Sequence, residues 1–97
     1  MATPLEIRTR PGPDGIPVVS AVGEIDMSNA EEFRAALGTA AGGGQLVVDL
    51  TGVEYLDSAG IHALYAVASR IRLIASPLLS PVLDISGLSA ITSVREG

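Results

Sequence analysis

Along the chain, stretches of alternating apolar and polar residues give way three times to stretches with helical spacing, and each change predicts an element. Leu5 to Thr9 (LEIRT) alternates as an exposed or edge strand does, and the RPGPDG that follows is dense in turn residues. Ile16 to Gly23 (IPVVSAVG) reads as a second strand, with Pro17 near its start, where a missing N–H does least harm. A hairpin is the expected result. In SNAEEFRAALGTAAGGG, Ser28 followed by Glu31 has the spacing of a capping box. Ala30, Phe33, Leu37 and Ala40 form one apolar stripe, and Gly42, Gly43 and Gly44 stop the helix.

Gln45 to Leu50 (QLVVDL) is nearly continuous in β-branched residues and Leu, the signature of a central strand covered by helices. A short loop then leads to Ser58, where the period turns helical: Ile61, Leu64, Tyr65 and Ala68 fall at i, i+3, i+4 and i+7. With the strand Ile71 to Ala75 (IRLIA) this makes a parallel β-α-β unit with a right-handed crossover. A last clear helix is predicted in SPVLDISG, with Ser80 as cap, Pro81 at the first helical position and Gly87 just past the end. AITSV closes as a short strand or coil. The tetrapeptides DLTG and DISG are not an internal repeat, because one leaves a strand and the other ends a helix.

A chain of 97 residues is enough for one compact domain and too short for two, so residues 1–97 are expected to form a single domain. Hydrophobic residues make up 47% and aromatic residues 3%, so the interior must be built from Val, Leu, Ile and Ala, and platforms for stacking bases are scarce. A net charge of −5, with no lysine and no basic run, has the wrong sign for a nucleic-acid or anionic-membrane binder that works by counterion release. Without cysteine, disulfides, thiolate catalysis and Cys-ligated zinc are excluded together, and a single histidine speaks against imidazole metal sites. The N-terminal MATPLEIRTRPGPDG lacks the apolar core of a secretory signal. No apolar stretch reaches ~18 residues without a charge. A cytoplasmic protein without direct membrane binding is the expectation.

Several groups could carry chemistry. Ser58, His62 and Asp57 lie together, but His62 follows Ser58 at i+4 on an apolar helix, with no G-x-S-x-G elbow or glycine-rich oxyanion loop. Hydrolase activity is therefore not expected, and a lone helix histidine is ordinarily a surface residue. The triple glycine lacks the Gly-Lys-Ser/Thr of a phosphate loop, so no nucleotide cofactor is read from it. Glu24 and Asp26 follow one strand, and Asp49, Glu54 and Asp57 follow another; both groups are expected at one sheet edge, where loops after parallel strands carry function. A solvated acidic rim explains them equally well.

Ser58 has two readings as well. As an N-cap it would contribute about 1 kcal/mol to the helix. Gly60 weakens that helix by about 1 kcal/mol relative to Ala, and its missing Cβ would let another chain approach the backbone. A phosphate on Ser58 would meet the positive end of the helix dipole and add about −2 charge beside Asp57 and Asp26. Against a partner carboxylate at ~5 Å this would oppose binding by about 2–6 kcal/mol at an effective dielectric near 20.

These residues resemble the STAS domains of bacterial anti-sigma factor antagonists (anti-anti-sigma factors). VGEIDMSNA is similar to that family's G-E-[IL]-D segment. LVVDLTGVEYLDSAGIHAL resembles its most diagnostic stretch, ending in D-S-[SA]-G, and LLSPVLDISGLSAI resembles its C-terminal helix. The resemblance implies an α/β fold with a mixed four- to five-stranded sheet and helices mainly on one face. It implies a non-enzymatic role in transcription regulation by partner switching. On that resemblance the unphosphorylated protein is expected to bind an anti-sigma factor with serine-kinase activity, so that a sigma factor is released; the kinase phosphorylates the protein and a PP2C-type phosphatase reverses this. By that resemblance Ser58 is the phospho-acceptor, and Asp26, Asp57, Ala59 and Gly60 surround it on the partner-binding surface; no cofactor or metal is implied. The other function class is a STAS interaction module, scaffold or transporter-associated, that binds a protein without being phosphorylated. One departure stands out: ASR runs straight into IRLIAS, where the family carries a longer connection. A helix of about ten residues spans ~15 Å, only just enough to return along a strand. Either a shortened helix or absent chain is expected over residues 68–77.

Overall fold

The computed structural model describes residues 4–97; the first three residues of the N-terminal segment lie outside it. Five strands form one sheet: β1 (Glu6–Arg10), β2 (Val18–Ile25), β3 (Leu46–Leu56), β4 (Ile71–Ala75) and β5 (Ser93–Glu96). Their spatial order follows the chain, β1-β2-β3-β4-β5. β1 and β2 form the expected antiparallel hairpin, and every later neighbour is parallel. Four helices connect them: α1 (Ala30–Ala41), α2 (Ser58–Tyr65), α3 (Ser80–Ile85) and α4 (Leu88–Ile91). Parallel crossovers of one hand that always step to the next strand must stack their helices on one side of the sheet.

Burial follows from that arrangement. Phe33 and Leu37 of α1, Ala63 and Leu64 of α2, Leu83 of α3 and Leu88 of α4 share one core with the inward strand residues Val19, Ile25, Val48, Leu50 and Leu73. Residues between them on the strands, such as Arg72, Ser93 and Arg95, are exposed on the uncovered face. α1 ends at Gly42, left-handed at φ 54°, whose N–H donates to Gly38 O at 3.2 Å; glycine adopts that conformation without a Cβ clash.

The structure departs from the sequence reading in four elements. β3 does not stop at Leu50 but runs eleven residues to Leu56, so the expected loop is strand. The reason is bulging: β3 takes one extra residue opposite Ser20–Val22 and another opposite Gly23–Glu24. Thr51-Gly52 reads as a turn in sequence, but here it marks a bulge. In α2 the buried residues are Gly60, Ala63 and Leu64, joined by Val67 beyond its end, while Tyr65 is exposed. Of the predicted stripe, Leu64 and Ala68 are buried and Ile61 is half-buried against the core, whereas Tyr65 is exposed; the buried side is centred one position earlier, where Gly60 and Ala63 let the helix approach the sheet. Ser80 is not a cap: it is already helical and its N–H donates to Ser76 O at 3.1 Å, the chain having begun to turn at Ser76. AITSV divides between α4 and β5, with Gly87 at φ 86° forming the joint between α3 and α4. The connection after α2 is short: eight helical residues, then a 3-10 turn over Ala68–Arg70 that leads directly into β4.

Candidate functional site

Two adjacent parallel strands end together and set the site. Ile25 pairs with Leu56 at the last step of the β2–β3 ladder, and the Asp57 N–H donates to Ile25 O at 3.2 Å. The chains leaving β2 and β3, Asp26-Met27-Ser28-Asn29 and Asp57-Ser58-Ala59-Gly60, therefore start side by side. Each is held by its own aspartate. Asp57 Oδ1 accepts from Ala59 N at 2.9 Å and Gly60 N at 3.2 Å, which caps α2. Asp26 Oδ1 accepts from Ser28 N at 2.9 Å and Ser28 Oγ at 2.5 Å. Asn29 locks the first turn from both sides, its Oδ1 accepting from Asp26 N at 2.9 Å and its Nδ2 donating to Glu24 O at 2.9 Å. The hydroxyl and N–H of Ser28 hold the Asp26 carboxyl below its ordinary value of 3.8.

Two predicted caps are corrected here. Ser28 does not form a capping box with Glu31; its hydroxyl is donated to Asp26, and α1 starts after Asn29 without a side-chain cap. Glu31 instead pairs with Arg34, which lowers the carboxyl and raises the guanidinium. Nor is Ser58 the cap of α2. Asp57 takes that role and Ser58 is the first helical residue. Its side chain is exposed, and no hydrogen bond engages its hydroxyl among the described residues. Sequence could not decide between the two, since Asp and Ser are equally good caps.

Gly60 also has a different part from the one expected. It is buried, and a Cβ there would lie 2.9 Å from Ile25 Cγ2 and closer still to Leu56 Cδ1. The close approach it permits is made by its own chain. Of the remaining acids, Asp49 and Glu54 do not follow a strand end but lie within β3, and Asp49 Oδ1 accepts from Thr51 N at 2.9 Å and Thr51 Oγ1 at 2.7 Å. Glu24 likewise lies within β2, so the expected acidic rim reduces to Asp26 and Asp57.

Beside Ser58 runs a groove of about 600 Å³ between α1 and α2. Ala30, Ala59, Ala63 and Ala66 give it a shallow apolar floor, and Ser58, His62 and Arg34 stand around it. Met27, 83% exposed, projects at one end. Met27 went unremarked in the sequence because one methionine in a turn carries no period; its signal was its place between two residues that fix a tight turn. The groove is an open apolar strip rimmed by polar groups, with the free Ser58 hydroxyl at its mouth, and it does not enclose a small substrate. Among the described residues, no helix is long and apolar enough to cross a membrane.

Sheet order, helix placement and the Asp57-Ser58 turn together define a class of small α/β domain with a five-stranded mixed sheet. Residues 8–79 match the STAS domain family, and the chain belongs to it. Among solved structures it is similar to an anti-sigma factor antagonist from Mycobacterium paratuberculosis, with 28% identity over 95% of this chain and 86% of that one, and a TM-score of 0.85. The fold is shared with the unphosphorylated anti-sigma factor antagonist SpoIIAA, at 23% identity and TM-score 0.68 over 95% of this chain and 88% of that one. The phosphorylated form of that Bacillus cell fate determinant also shares it, at 23% identity and TM-score 0.62 over 95% and 91%. No curated protein matches the chain significantly in sequence.

Proposed function

We propose that this protein is an anti-sigma factor antagonist whose binding is switched at Ser58. Unphosphorylated, it binds an anti-sigma factor with serine-kinase activity through Asp26, Asp57, Ser58 and Ala59, with Gly60 buried beneath them to seat α2 on the sheet, and a sigma factor is released. The kinase transfers the γ-phosphoryl group of ATP to Ser58 Oγ; the hydroxyl proton leaves and ADP is the product. A PP2C-type phosphatase hydrolyses the ester. The chain is the substrate of these reactions and catalyses neither, and residues 1–97 act as one domain in the cytoplasm.

The observation that carries this reading is the free, exposed hydroxyl of Ser58 at the first position of α2, next to a carboxylate that already occupies the helix's amides. Asp57 holds Ala59 N and Gly60 N, so a phosphate on Ser58 does not gain those donors and stands beside a negative group instead. That differs from an ordinary helix N-terminus, which welcomes an anion. Two added charges near a partner's carboxylate then act almost unopposed, at about 2–6 kcal/mol for ~5 Å and an effective dielectric near 20. The similarity to an antagonist at 28% identity supports the same role.

The test is incubation with candidate serine-kinase anti-sigma factors and ATP, followed by intact-mass measurement of wild type, Ser58→Ala and Ser58→Asp. Wild type should gain one phosphate and both variants none. Ser58→Ala should still bind the kinase and Ser58→Asp should bind more weakly. Equal binding by all three forms with no phosphate gained would replace this reading by that of a passive interaction module.

A further inference from the structure

The uncovered face of the sheet is not acidic like the rest of the molecule. The net charge is −5, yet three of the six arginines, Arg10, Arg72 and Arg95, line one cleft of about 420 Å³ on that face. The strand register explains how they meet. Arg10 lies opposite Val18, Val18 opposite Val47, and Val47 opposite Arg72, forming one row across four strands. Arg95 lies opposite Ile74, two residues further along β4 and β5 on the same face. Val18, Val47 and Ile74 are thus an apolar floor, the Arg72–Arg95 pair is one wall, and Arg10 with the hairpin turn at Pro13 and Asp14 is the other.

None of the three guanidinium groups is ion-paired among the described residues. Arg10 donates to Ser20 Oγ at 2.9 Å, Arg72 reaches Gln45 Oε1 only at 3.5 Å, and the ion pairs there involve Arg8 and Arg34. Three cations gathered over valine and isoleucine repel one another; Asp14 is the carboxylate that lines the cleft, and Asp49, opposite Ile74 on the same face, is engaged by the N–H and hydroxyl of Thr51, so positive charge predominates among the groups that line the cleft. Guanidinium groups bind carboxylate, phosphate and sulfonate groups through paired N–H donors, and more strongly beside apolar surface than in open water. The cleft volume falls within the range of about 300–1,000 Å³ usual for small-ligand sites.

We infer that this cleft binds a small organic anion with an apolar body, its acidic group held between Arg72 and Arg95 and its body on Val18, Val47 and Ile74. The row lies at the start of β2, β3 and β4, whereas Ser58 follows the end of β3. From Val47 to Leu56 the strand extends ~30 Å, so the two sites are at opposite ends and do not compete. The inference does not depend on the proposed switch.

The test uses the full chain, labelled with nitrogen-15 and titrated with 1-naphthoate, with the neutral 1-naphthalenemethanol as its twin. Naphthoate should give saturable shifts of the Val18, Val47, Arg72, Ile74 and Arg95 amides while Ala59 to Ala63 stay in place, and the alcohol should give little. The exposed pair can be replaced without disturbing the core, and Arg72→Gln with Arg95→Gln should weaken naphthoate binding at least about tenfold. Equal binding of acid and alcohol, undiminished binding by the double variant, or no saturation at millimolar naphthoate would each overturn the inference. So would binding to phosphatidylglycerol vesicles without any response to the free acid.

Discussion

Asp57 and Ser58 are neighbours with separate duties, and their variants should separate cleanly. Asp57→Ala removes the acceptor for two amides and should lower stability by about 1 kcal/mol, seen as a fall in Tm of about 4–8 °C for a chain of this size. Ser58→Ala removes a hydroxyl with no partner in the fold and should change stability by less than about 0.5 kcal/mol. A larger loss for Ser58→Ala than for Asp57→Ala would return the cap to Ser58. Gly60→Ala should destabilise, although alanine is the better helix former by about 1 kcal/mol, because the new methyl group meets Ile25 and Leu56 and overpacking costs about 1–3 kcal/mol. Asp26 adds a pH dependence. Its folded pKa lies below the ordinary 3.8, so its stabilising effect is complete above that value and is lost as pH falls through the lower folded one. Acid unfolding followed by circular dichroism should therefore show a smaller loss below pH 3.8 for Asp26→Asn than for wild type. The position of Ser58 at the start of a helix was legible in the sequence, whereas its freedom from capping was not, since two good caps stand side by side.

Elements with a strong, even period were read almost as they are: the hairpin, α1 with its glycine stop, and β4, whose bounds coincide with the expected Ile71 to Ala75. α1 rests on Phe33, the one phenylalanine and fully buried. Phe33→Ala should lose about 3–5 kcal/mol in urea unfolding, a large part of the roughly 5–15 kcal/mol of a typical domain; a loss under about 1 kcal/mol would mean that α1 does not cover the sheet as described. β3 was the element least visible in sequence. Alternation holds from Leu46 to Thr51, then slips at Gly52 and again before Tyr55. A period-of-two search ends at the first slip, while the parallel ladder with β2 continues to Leu56 and delivers Asp57 beside Asp26. The bulges thus decide where the site begins. α2 begins at Ser58 as read, but its buried side is centred one position earlier than the apolar stripe suggested: hydrophobicity favours Tyr65, while the close approach to the sheet is made at Gly60 and Ala63.

For the whole molecule, one covered and one bare sheet face put the two proposed surfaces far apart. The α1–α2 groove with Ser58 lies beyond the end of β3 on the helix side, and the arginine cleft lies at the strands' beginnings on the other. The sequence disclosed the first through the contiguous Asp57-Ser58-Ala59-Gly60; it hid the second, because Arg10, Arg72 and Arg95 come together only through strand register. The central claim concerns the Ser58 hydroxyl, and the dissociation constant of the complex with the serine-kinase partner tests it most directly. It is to be measured for the same protein before and after one phosphate is placed on Ser58. Binding should weaken by more than about tenfold on phosphorylation; equal affinity of the two forms would contradict the account.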